Sequence, residues 1–175
     1  MSTSPILVDL NIQNDPEKIF DNTKNILSII LEHVSLNIEY QQRIKLILIE
    51  LITNSIKHSE EEFTAIHLVI DQPRLSIQKI EKGLKIAFSA GSPQIPFENI
   101  QKKVKISFSE ENRHQIQPLG EYKFEFLKPD PNENPDLNQM PEHFGFYIIT
   151  LAADTFMYQY DPDLKQSSYI VHMNL

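Results

Sequence analysis

At 175 residues, 41% of them hydrophobic, the chain is long enough to bury one sizeable core and about right for a single domain. Its 24 acidic and 16 basic residues leave a net charge of -8, which argues against a nucleic-acid duplex or an anionic membrane surface as the principal partner. Cysteine is absent, which excludes disulfides, thiolate metal sites and a cysteine nucleophile and fits a reducing cytoplasm.

Residues 5–12 alternate Ile6, Val8, Leu10 and Ile12 with Asp9 and Asn11, the period of a half-buried strand. Asp15-Pro16-Glu17 supplies a capping residue, a proline for the first helical position and an acid for the first turn. A helix is predicted from there to about residue 35, burying Ile19, Phe20, Ile26, Ile29, Ile30 and Val34. Glu39 opens a second helix with Ile44, Ile47, Leu48, Leu51, Ile52 and Ile56 as its apolar side, widened by Leu46 and Ile49.

That helix ends in E-L-I-T-N-S-I-K-H-S, residues 50–59. Helical spacing gathers Glu50, Asn54, Lys57 and His58 along one stripe. A solvated polar face with a Lys-His pair favourable to the helix dipole would account for it. A polar ligand along that edge would account for it equally, since carboxylate, amide and ammonium groups are costly to bury alone.

Beyond an acidic turn at 60–62 the period changes to that of strands. Segments 65–70, 74–80 and 84–88, separated by Asp71-Gln72-Pro73 and Glu81-Lys82-Gly83, suggest an antiparallel meander. Residues 89–96, S-A-G-S-P-Q-I-P, make a loop. The stretch 97–141 is long and irregular, with a helical turn predicted at 98–103 and strands at 104–108 and 122–126. A segment of this kind inside one domain is commonly a lid or a disordered loop. Residues 141–154 read as a short buried helix behind a loop, and two strands, 155–160 and 168–174, close the chain. No run of about 18 apolar residues occurs, so a non-exported, cytoplasmic protein is expected.

E-L-x-T-N-x-x-K-H resembles the N box of the GHKL, or Bergerat-fold, ATPases. This superfamily includes sensor histidine kinase catalytic domains and the anti-sigma-factor serine kinases. Two later boxes support the likeness. S-A-G-S-P-Q-I-P resembles the first glycine box, with Gly91, Pro93 and Pro96 in place and Ser89 where the family has an aspartate. H-F-G-F-Y-I-I-T-L-A-A-D resembles the second, with Gly145, Ala153 and Asp154 in place and His143 where the family has its leading glycine. Glycine is scarce throughout, occurring only as Gly83, Gly91, Gly120 and Gly145.

The resemblance implies an α/β two-layer sandwich. Its mixed, mostly antiparallel sheet would be covered on one face by about three helices, with 97–141 in the place of the ATP lid. It implies Mg-ATP as cofactor, Glu50 as general base and Asn54 as magnesium ligand. Lys57, His58 and His143 would lie near the phosphates, Gly91 and Gly145 would give backbone contacts, and Ser89 would stand at the adenine position. The implied activity is that of an ATP-dependent serine/threonine kinase regulating a protein partner, a sigma factor or an anti-sigma-factor antagonist, and a homodimer is open to it. The altered boxes equally suit a module that has kept the scaffold, lost the nucleotide and works by protein contact alone. Last, Gln166-Ser167-Ser168 stands where the family has a Gly-Thr pair at the start of its final strand.

Overall fold

The computed structural model describes residues 4–83, 85–109, 113–129 and 144–175. In chain order these form β1 (Ile6–Gln13), a 3-10 turn (Pro16–Lys18), α1 (Ile19–His33) and α2 (Ile38–His58). Then come β2 (Phe63–Asp71), β3 (Arg74–Lys82), β4 (Val104–Ser107), β5 (Arg113–Gly120) and β6 (Lys123–Phe126). The chain closes with α3 (Gly145–Ala152), β7 (Thr155–Asp161) and β8 (Gln166–Asn174). The strands lie in one open sheet of order β1-β2-β3-β8-β7-β6-β5-β4. Every pairing in it is antiparallel, which corrects the expectation of a mixed sheet.

Local chemistry places the helices. Asp15 accepts a hydrogen bond from the Glu17 N–H at 2.9 Å, and Pro16 starts the turn that leads into α1. Asn37 caps α2 by accepting from the Tyr40 N–H at 3.0 Å, so the helix starts at Ile38, one residue before Glu39. Both helices bury one stripe against one face of the sheet, with α2 between α1 and α3. In α2 that stripe is Ile44, Ile47, Leu48, Leu51, Ile52 and Ser55, while Leu46 faces outward. In α1 it is Thr23, Ile26, Leu27 and Ile30. Phe20, expected inside, is 76% exposed, because the stripe turns past it toward Thr23 and Leu27.

Three further expectations are corrected. Residues 85–88 alternate like a strand yet pair with none; the Ile86 N–H donates instead to the Tyr158 hydroxyl at 2.8 Å. Residues 98–103 form bends rather than a helical turn. The supposed lid contains three strands of the sheet, of which β5 was not expected at all. Of that stretch, residues 110–112 and 130–141 lie outside the described residues.

A polar clasp fixes α3 against α2 and β8. Arg43 on α2 donates from Nε to the Ala152 carbonyl at 2.7 Å and from its guanidinium to Asp154 at 3.0 Å. Asp154 also accepts from the Asn174 N–H at 2.6 Å. Burial alone would raise the Asp154 carboxyl, but the Asn174 N–H, the Arg43 hydrogen bond and charge, and Lys128 together hold it below its usual range. Asp154→Ala should cost roughly 2 kcal/mol in urea unfolding, because hydrogen bonds to charged groups are lost at both ends. A change under about 0.5 kcal/mol, the size of a neutral surface substitution, would show that packing alone holds α3. Among the described residues no helix is long and apolar enough to cross a membrane.

Candidate functional site

The polar stripe of α2 meets the start of α3. A methyl carbon added at Gly145 would stand 2.8 Å from Glu50 Oε2, 3.0 Å from Asn54 Nδ2 and 3.2 Å from Asn54 Oδ1. Glycine lets the ends of the Glu50 and Asn54 side chains lie directly against the start of α3, and any larger residue would have to displace them. Gly145→Ala should therefore push Glu50 and Asn54 aside and lower stability by roughly 1–3 kcal/mol, as overpacking does, measured by urea unfolding. Unchanged stability would mean that the Glu50 side chain simply swings away.

Burial raises the Glu50 carboxyl above its ordinary range, and the positive charge of Lys57 pulls it partly back. Asn54 Nδ2 is buried with no hydrogen-bond partner among the described residues. An orphaned amide is expensive in a folded protein, so it marks a place where a further polar group fits. A half-turn of the amide would present Oδ1 at that point instead.

Asn54 forms part of the wall of a cavity of about 880 Å³. Its other walls come from the end of α2 at His58, from Lys79 and Glu81 on β3, from Ser167 and Tyr169 on β8, and from Phe108 and Phe146. Glu50 lies one helical turn behind Asn54, against Gly145 and not on the wall. Lys57 is exposed and not on the cavity wall, although its charge reaches Glu50.

The polar end of the cavity lies on the sheet. β3 buries Leu75, Ile77 and Lys79 on its helix-facing side, and Glu81 continues the same side. Lys79 is 1% exposed; its Nζ donates to Glu81 Oε1 at 2.8 Å and stands 4.2 Å from the centre of the Tyr169 ring. Burial pulls the Lys79 ammonium below its ordinary range, and the Glu81 charge and hydrogen bond pull it back. Glu81 and Ser167 are direct cross-strand partners in the β3–β8 register, as are Lys79 and Tyr169. The Ser167 hydroxyl is 2.8 Å from that of Tyr158.

Among the residues expected in the site, Glu50, Asn54, His58 and Gly145 are thus brought together. Ser89 and Gly91 are not on the cavity wall. The Ser89 N–H donates to the Ser107 carbonyl at 2.7 Å, tying that loop to β4, and Gly91 serves the turn with a φ of 90°. His143 lies outside the described residues. Lys79, Glu81 and Tyr169 were not anticipated, and Ser167 entered only as part of the Gln166-Ser167-Ser168 segment that stands in for the family's Gly-Thr pair. One signal could have found the first two: a lysine and a glutamate two apart, in phase with Leu75 and Ile77, put charge on a face that is otherwise core.

No family model matches this chain, and no curated protein matches it.

Proposed function

We propose that the chain is a regulatory module of the Bergerat type, which binds a magnesium-bound purine nucleoside triphosphate beside α2 and uses it to control a protein partner. The observation that carries this reading is the buried amide nitrogen of Asn54, without a partner among the described residues, on the wall of a cavity of nucleotide size. Glu81 supports it further. It is a carboxylate inside the cavity near the end of a strand, two residues before a glycine, Gly83, whose φ is 129°. Glu81 would take the base-reading part that the resemblance gives to the aspartate, and Ser167 opposite it the part of the final-strand threonine.

The donor set fits magnesium as substrate phosphates carry it. Among the described residues no group of three or more His, Asp or Glu side chains forms a cage. A magnesium ion held by one amide oxygen, Asn54 Oδ1, and by the phosphates needs none. When bound, the ion would neutralise phosphate charge. The chain's own residues would then divide the work, with Asn54 orienting the phosphate end, His58 beside it and Glu81 holding the base. Glu50, with its raised carboxyl, is poised to accept a proton, and phosphoryl transfer to a partner such as a sigma-factor antagonist is the step that would use it.

Calorimetric titration with non-hydrolysable triphosphate analogues, with and without magnesium, tests the reading. Magnesium-dependent binding is expected, and Asn54→Ala should abolish the magnesium dependence while the circular dichroism spectrum stays native. The same magnesium dependence in the variant would remove Asn54 from the site. No binding at millimolar nucleotide would favour the second reading, a module acting by protein contact alone. The Lys79 ammonium already seated on Glu81 gives that reading its support.

A further inference from the structure

We propose that the cavity reads guanine rather than adenine, through the adjacent Lys79 and Glu81 side chains. This rests on the reading of the cavity as a nucleotide site and names its base.

The pair is a built polar edge. Lys79 offers only donors and Glu81 only acceptors, they are hydrogen-bonded side by side at 2.8 Å, and both face the cavity. Glu81 Oε1 takes the Lys79 bond, and Oε2 takes none among the described residues. In sequence along the edge the site therefore presents one donor followed by a two-oxygen acceptor. Guanine presents the complement, with the O6 acceptor followed by the N1–H and 2-amino donors. The ammonium would serve O6 while the carboxylate accepts both N–H groups side by side, a charge-assisted and geometrically selective contact.

Adenine fits less completely. Its 6-amino group can donate to one carboxylate oxygen and its N1 can accept from the lysine, which leaves the second oxygen without a partner. Oε2 is open to the cavity, but a base laid over the pair would seal it off, and an acceptor sealed without a partner is costly, so sites of this kind discriminate strongly. Phe108, Phe146 and Tyr169 give the same end apolar flanks, on which any purine could lie.

The test uses the whole chain and three imidotriphosphate analogues, those of guanosine, inosine and adenosine, titrated calorimetrically with magnesium. Inosine keeps O6 and N1–H and lacks the 2-amino group. The guanosine analogue should bind tightest, inosine about tenfold more weakly, and adenosine weaker again by a similar factor. Adenosine equal to or tighter than guanosine would overturn the base assignment and leave the nucleotide reading standing. Equal guanosine and inosine affinities would also overturn it, by removing the carboxylate from the 2-amino group. Failure of all three to bind at millimolar concentration would overturn both. As a second check, Glu81→Gln should erase the guanosine-to-inosine difference, with native melting confirming the fold. Persistence of the difference in a folded variant would overturn the role of Glu81, and the analogue series on the unaltered chain decides the matter if the variant does not fold.

Discussion

Lowering the pH from 6.5 to about 4 should cost the fold about 3 kcal/mol through His114 alone. The side chain points inward from β5 into a cluster of rings, 5.5 Å from Phe108, 5.5 Å from Phe126 and 6.5 Å from Tyr147 by centroid. Burial there penalises the imidazolium and brings its pKa down to about 4. A depressed pKa means that the unfolded chain takes up the proton first. Stability is therefore full above about 6.5, falls as the unfolded chain protonates, and reaches its lowest value once the folded His114 also titrates near 4. His172, half-buried on β8, is lowered by burial and by Arg74 and Lys123, and acts with the same sign. Urea unfolding across this window, repeated on His114→Leu, isolates the contribution. The variant should lose most of the slope and keep a smaller one from His172; an unchanged slope would mean that His114 is charged in the fold.

Lys79→Met should destabilise the protein by about 3 kcal/mol, and adding Glu81→Leu should recover most of that loss. The single variant strands a carboxylate that is 13% exposed beside the core, whereas the native ammonium meets it at 2.8 Å. Removing one member of a buried pair typically costs about 3–5 kcal/mol, while replacing both by apolar groups is often neutral or favourable. Urea unfolding of the two single variants and the double one gives the coupling directly. If the double variant is no better than Lys79→Met, the loss came from packing against Tyr169 and not from the charge.

Much of the fold was legible because period carries it. The alternation of β1, β2, β3, β7 and β8 and the stripes of α1 and α2 depend on burial of aliphatic side chains, which the sequence displays openly. β5 hid because its inward positions are His114, Ile116 and Pro118, of which only one is aliphatic. Pro118 stands at a register shift against β6, a place where a strand tolerates proline. Residues 85–88 misled in the opposite way: they alternate, but a side-chain hydroxyl takes the N–H of Ile86 that a ladder would have used.

In the candidate site, the stripe at 50–58 was legible because a polar run on a buried helix needs an explanation. Its meeting with Gly145 depends on chain segments about ninety residues apart, which only the packing of α3 on α2 reveals. Glu81 looked like part of a turn, since Glu81-Lys82-Gly83 has turn composition. β3 runs on to Lys82 because β8 offers it partners as far as Gln166.

The sheet order makes β8 a keystone in time as well as in space. The three strands β1, β2 and β3 precede it in the chain by more than eighty residues, and β4 to β7 stack on its other side, so the two halves share no ladder until β8 enters between β3 and β7. It is also the last of the eight to leave the ribosome, and it brings Ser167 and Tyr169 with it. Until it enters, the earlier strands can pair only within a three-stranded and a four-stranded group, and the cavity lacks its β8 wall. A ligand that needs the β8 wall would therefore distinguish a molecule with β8 in place from one without it. A cut within 162–165 followed by reassociation of the two fragments would restore binding and fold in a single step.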